Sequence, residues 1–183
     1  AAADTTVVDY AAQGMSIATG PDSELTLDMD GSQGELLRAS GNLDIDAFGF
    51  MQVSGSMAVE KLSQDVTLSD GNTVTTDSLT LGGSGLSSFI GHGGGTADAL
   101  GLEISDVNFG VALLNEQVEV GATARQWSSI QATAGEVAFV GVDDLTVSAD
   151  TISVEINQAA ADTTVVDYAA QGMSIATGPD SEL

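Results

Sequence analysis

The chain of 183 residues has no cysteine, one histidine, two prolines and only three basic residues, Arg38, Lys61 and Arg125. Without cysteine no disulfide can staple the fold, so stability has to come from packing and hydrogen bonding. Three cations against 27 carboxylates leave a formal net charge of −24. That balance argues against nucleic acid as a partner, because phosphate binding rests on Lys and Arg, and it disfavours an anionic membrane surface in the same way. No apolar run approaches the roughly 20 residues of a membrane span, so no membrane insertion is expected in this stretch. Aromatic residues make up 4% of the chain, which supplies a stacking platform for sugars poorly; the single tryptophan, Trp127, lies two residues from Arg125.

What is present argues for an ordered protein. Hydrophobic residues reach 43% and mean hydropathy is +0.18, enough to bury a core despite the charge. The first 25 residues, AAADTTVVDYAAQGMSIATGPDSEL, recur letter for letter as residues 159–183. Identity of that length reads as a 158-residue unit followed by the opening of its next copy. Residues 1–158 are then one complete β-rich repeat, residues 159–183 the start of the next, and each unit carries a charge of about −20. Tandem units of this kind stack on their neighbours, and their usual work is spanning, binding or assembling. Mutual repulsion between such acidic copies weakens at high ionic strength, which fits an ion-rich exterior.

Alternation with period two runs along most of the chain: Leu25, Leu27 and Met29 against Thr26, Asp28 and Asp30, then Leu43 and Ile45, Met51 and Val53, Met57 and Val59. About ten strands per repeat are expected, with no sustained helical spacing. Residues 98–102 read as a loop entering a strand. Ser69-Asp70-Gly71-Asn72 lies between two alternating runs, and Asp-Gly supplies the positive φ angles of a tight hairpin. Asp30-Gly31 is a second such signal, predicting a return along residues 35–39. The expected fold is all-β, with antiparallel meander sheets packed as a sandwich or curled sheet. One proline per repeat, Pro21 and Pro179, leaves the ladders uninterrupted. The glycines of residues 82–85 and 91–95 read as flexible corners. Phe48 and Phe50 fall opposite Leu43, Ile45, Met51 and Val53, which predicts either a bulge at residues 47–49 that returns them to the core or an outward contact with a neighbour.

Candidate chemistry is sparse, and no catalytic residue is assigned. His92-Gly93-Gly94-Gly95 matches an oxyanion-hole motif, but there is no Gly-x-Ser-x-Gly elbow and no second histidine to activate a nucleophile. Asp28, Asp30 and Glu35 alternate oxygen donors around a turn, a pattern suited to calcium; the alternative is the solvated face of a half-buried strand. Asp44, Asp46, Asp143 and Asp144 carry the same pattern more weakly.

The runs ATGPDSELTLDMDGSQGELLRASGNLDIDAFGFMQVSGSMAVEK, TLGGSGLSSFIGHGGGTADALGLEISDVNFGVALL and IQATAGEVAFVGVDDLTVSADTISVEINQAAADTTVVDY resemble tandem repeats of very large bacterial surface or secreted proteins, those with an LEPR-XLL signature and giant RTX-type adhesins. The resemblance spans nearly the whole chain, although the signature itself is not in it. It implies a non-enzymatic array at the cell surface or outside the cell. It also implies calcium-dependent folding as in the RTX relatives, whose Gly-Gly-x-Gly-x-Asp nonapeptide is missing here.

The resulting expectation is a structural protein of a filament, biofilm matrix or adhesin stalk whose partner is itself. Consecutive repeats would join by β-strand continuation through Val7, Val8, Tyr10, Met15 and Ile17 and their copies Val165, Val166, Tyr168, Met173 and Ile175. The alternatives are a calcium-dependent or carbohydrate-binding adhesive module, a lipid-carrying groove and an unrecognised enzyme.

Overall fold

A computed structural model describes residues 6–183. The alternating runs become antiparallel strands in an all-β meander. A short hairpin, β1 (Met15–Gly20) with β2 (Ser23–Leu27), comes first, followed by a 3-10 turn at Gly31–Gln33. Six long strands then pair in chain order: β3 (Leu37–Ala47), β4 (Met51–Thr67), β5 (Thr73–His92), β6 (Leu100–Glu116), β7 (Gln126–Val140) and β8 (Val147–Gln158). A second short hairpin, β9 (Ala176–Gly178) with β10 (Ser181–Glu182), ends the chain. Among the described residues no helix is long and apolar enough to cross a membrane.

The strands are fewer and longer than alternation alone suggests, because several apolar pairs belong to one ladder. Met51, Val53, Met57 and Val59 all lie in the 17-residue β4, and β5 runs for 20 residues. Residues 68–72 form the β4–β5 turn: the Leu68 carbonyl accepts from Gly71 N at 2.9 Å, Gly71 has φ 83°, and Asp70 accepts from Asn72 N at 3.0 Å. That turn is as expected, and so is the loop that enters β6 at Leu100.

Three readings are corrected. Asp30-Gly31 does not turn a hairpin onto residues 35–39. Asp30 instead caps the 3-10 turn, accepting from Ser32 N at 2.8 Å, while β2 pairs back with β1 and β3 pairs with β4. Residues 47–49 are not a bulge: Phe48 (φ 58°) and Gly49 (φ 70°) form the β3–β4 turn, closed by Phe50 N donating to the Ala47 carbonyl at 3.0 Å. Phe48 is 96% exposed, because a turn tip has no sheet above it. Gly82 and Gly83 are not a corner but buried positions inside β5; Gly85 (φ 56°) marks a bulge beside them.

Register divides the sheet into two unlike faces. On the front lie Glu60, Val66, Thr76, Ser78, Gly82, Gly110, Ala112, Leu114 and Trp127, many of them buried beneath residues 159–183. Large apolar side chains such as Leu79, Leu81, Ile90, Leu113, Val154 and Ile156 line the back and are exposed. Among the described residues, the second layer that a sheet needs is therefore supplied on one side only, by the closing copy of the duplicated segment.

Candidate junction site

Residues 6–25 and their copies, residues 164–183, adopt the same local structure. In the first, Ile17 pairs with Leu25, Ala18 with Glu24 and Gly20 with Ser23. In the second, Ile175 and Leu183 exchange backbone hydrogen bonds at 3.0 and 2.8 Å, Ala176 pairs with Glu182 and Gly178 with Ser181. Asp9 accepts from Ala12 N at 3.2 Å, as Asp167 does from Ala170 N at 3.0 Å. Thr19 and Ser23 hydroxyls meet at 2.8 Å, and Thr177 and Ser181 at 2.9 Å. The segment carries its own hairpin information, since the fold is repeated in two unlike surroundings.

The surroundings differ sharply. Val8 is 64% exposed and its copy Val166 is 2% exposed. Met15 and Ile17 are exposed, whereas Met173 and Ile175 pack against a core of Val66, Leu68, Ala112, Leu114 and Trp127. Val7 and Tyr10, like Val165 and Tyr168, are half-buried. At about 1.5–3 kcal/mol for each large apolar side chain fully withdrawn from water, the covered copy gains several kcal/mol before the entropy of ordering it is subtracted.

The socket holds the segment by backbone as well as by apolar contact. β4 extends past the end of β3, so its outer edge is open near Leu68. There Val166 bridges Leu68, the Ser69 N–H donates to the Val165 carbonyl at 2.9 Å, and the Asp167 N–H to the Thr67 carbonyl at 2.8 Å. Strand continuation is thus limited to one bridge, and the remainder of the segment lies across the front face. Trp127 Nε1 donates to the Thr164 carbonyl at 3.0 Å and Asn157 Nδ2 to the Val166 carbonyl at 2.7 Å. Gln171 accepts from Thr67 Oγ1 at 2.9 Å and donates to the Asp65 carbonyl at 3.2 Å.

Two glycines make room for it. A Cβ on Gly82 would collide with the Ala176 carbonyl oxygen and lie 2.9 Å from Thr177 Cγ2; one on Gly110 would lie 3.0 Å from Ile175 Cδ1. Leu68, Gly82, Thr67 and Asn157 do not stand out in the sequence as junction residues, whereas the lone Trp127 suits a core or junction position better than a ligand platform. The available signal is the run Thr76, Ser78, Thr80, Gly82, small or polar at four successive front positions of β5, which marks a surface that another backbone approaches closely.

Arg125 closes one end of the site. It grips Glu116 through two hydrogen bonds, Nη2 to Oε1 at 2.6 Å and Nε to Oε2 at 2.8 Å, and reaches Asp162 Oδ2 with Nη1 at 3.0 Å. The hydrogen bond from Arg125 holds the Glu116 carboxyl below its usual range. Asp162 is lowered chiefly by hydrogen bonds from Thr164 and secondarily by Arg125. The guanidinium also stands 5.2 Å from the Trp127 ring centroid, a cation–π geometry in which the buried tryptophan is a packing residue.

Tyr168 is the imperfect element. Its hydroxyl is buried with no hydrogen-bond partner among the described residues, and burial pushes its pKa up. Ser129 stands beside it but gives its own hydroxyl to Asn157 Oδ1 at 3.2 Å. An unpaired buried hydroxyl costs about 1–3 kcal/mol, so Tyr168→Phe is expected to raise the thermal midpoint by an amount equivalent to about 1 kcal/mol. Tyr10→Phe, the same change in the uncovered copy, is expected to leave it unaltered; parallel melting curves check both.

Asp28, Asp30 and Glu35 are not brought together as a metal-holding group: among the described residues no cluster of three or more His, Cys, Asp or Glu is placed to hold one. The Asp30 carboxylate is engaged as a cap, and the Ser32 backbone N–H holds its pKa below the usual value. His92 ends β5 with its ring 6.3 Å from that of Phe50.

No family model, curated protein or solved structure matches the chain.

Proposed function

We propose that the protein is a structural repeat module of an extracellular or cell-surface array, without enzymatic activity, in which the opening segment of each unit docks on the front face of the unit before it. One observation carries this reading: residues 6–25 and residues 164–183, identical in sequence, fold the same way, the second seated in a socket and the first with Val8, Met15 and Ile17 bare. The bare copy has the shape of a plug for another such socket. The high acidic charge keeps units soluble and separates the bodies of neighbours, while each plug-and-socket contact is largely apolar and survives that repulsion. A stacked series of this kind would serve as a filament, matrix strand or adhesin stalk. Negative-stain electron microscopy of material from the native source is the test. Rods with a regular axial period are expected; dispersed single particles would contradict the proposal.

A further inference from the structure

Among the described residues, nothing covers the back of the six-stranded sheet. Register places on it Leu37 and Ile45 of β3, Leu79 and Leu81 of β5, and Val154 and Ile156 of β8, with apolar residues of β4, β6 and β7 between them. Every large apolar side chain that the six strands leave exposed falls on this face. A monomer in water rarely carries so broad an apolar surface.

We propose that the back face is a homotypic interface: two copies of the chain pack back to back, forming a β-sandwich with the two plug-covered faces outward. Three observations choose a second copy as the occupant. The first is area. Strands about 4.8 Å apart with about eleven paired residues rising about 3.4 Å each cover roughly 1,100 Å² per partner. The pair then buries about 2,200 Å², more than the standard specific interface and within the range of obligate dimers.

The second is the distribution of charge. Asp44, Asp46, Glu60, Glu103 and Glu155 all project from the front, whereas the back has Lys61, Asp65 and Asp77 toward one end only. Two copies at −24 can therefore approach back to back with most of their charge facing solvent. The third is shape and symmetry. Sheets of this kind pack face to face about 10 Å apart with strands within about 30° of parallel, and one patch meeting itself across a two-fold axis closes after two copies. A lipid layer is a poorer occupant, because only Lys61 offers a cation near this face.

Sedimentation velocity of the full chain between about 1 and 100 µM, spanning micromolar affinity, tests this. The wild-type chain is expected at dimer mass. Leu81→Glu with Leu113→Glu should weaken the dimer at least about 100-fold, because burial would desolvate unpaired charges. These side chains are 37% and 48% exposed in the single chain, so its fold should persist, with circular dichroism and Trp127 emission unchanged. The milder pair Leu81→Gln and Leu113→Gln should weaken the dimer less. Ser40→Glu with Thr133→Glu, on the front, should leave it intact. A wild-type chain that is monomeric at the highest concentration overturns the proposal. So does equal dissociation by the front-face pair, or flotation of wild-type monomers with phosphatidylcholine vesicles.

Discussion

Replacing Val166 by aspartate is expected to destabilise the seated segment by about 3–5 kcal/mol, the usual cost of an uncompensated buried charge, while the same replacement at Val8 changes stability by less than about 0.5 kcal/mol. The two positions have identical neighbours in sequence, so intrinsic propensity cancels and only the environment differs. Val166 faces Leu68 across a bridge, in one core with Trp127, and is almost fully enclosed; Val8 is largely exposed. Aspartate at position 166 can regain water only if residues 159–183 lift away. That removes the Thr164 acceptor from Trp127 Nε1 and exposes the only tryptophan in the chain. Its emission should shift to the red in Val166→Asp and stay in place in Val8→Asp, with urea titration giving the energies.

The second large effect is expected from Gly82→Val. Valine is a better strand residue than glycine, and Gly82 sits in an ordinary extended stretch of β5. A sheet considered alone would gain from the change. The new side chain, however, occupies the space taken by the Ala176 carbonyl and the Thr177 methyl. Overpacking at a site that cannot relax costs about 1–3 kcal/mol, and here the cheaper relaxation is release of the β9–β10 hairpin. Amide exchange should therefore show residues 175–183 losing protection while β4, β5 and β6 keep theirs. Uniform loss across the sheet would mean that the glycine serves the sheet itself rather than the plug.

The meander was legible because its signals are local: period-two alternation over residues 43–59 and the Asp70-Gly71 turn each act within a few residues. What escaped depends on which long strand lies beside which. Gly82 and Gly83 look like a corner in sequence, and only their pairing with Gly110 and Phe109 places one beneath a crossing backbone. Asp30-Gly31 departs from the hairpin expectation because an Asp-Gly pair suits a capped 3-10 turn as well as a hairpin, and the partner of β2 lies behind it, in β1. The Phe48 turn tolerates a residue of the wrong kind: a left-handed φ disfavours phenylalanine by about 1–2 kcal/mol, so composition gives no turn signal there. The duplicated segment stands out by identity alone, yet the surface that residues 159–183 cover is assembled from five strands, β4 to β8, and no single stretch of sequence describes it.

The most direct test of the plug and socket is association in trans, measured in the Leu81→Glu, Leu113→Glu background so that the back face is silent. A chain carrying Val166→Asp has an empty socket and an intact opening segment. It should form head-to-tail species that grow with concentration toward about 100 µM, with Trp127 emission returning to the blue as sockets refill. Adding Val8→Asp to the same chain should abolish both. If the Val166→Asp chain associates no more than the doubly substituted one, the two copies are not interchangeable and the account fails.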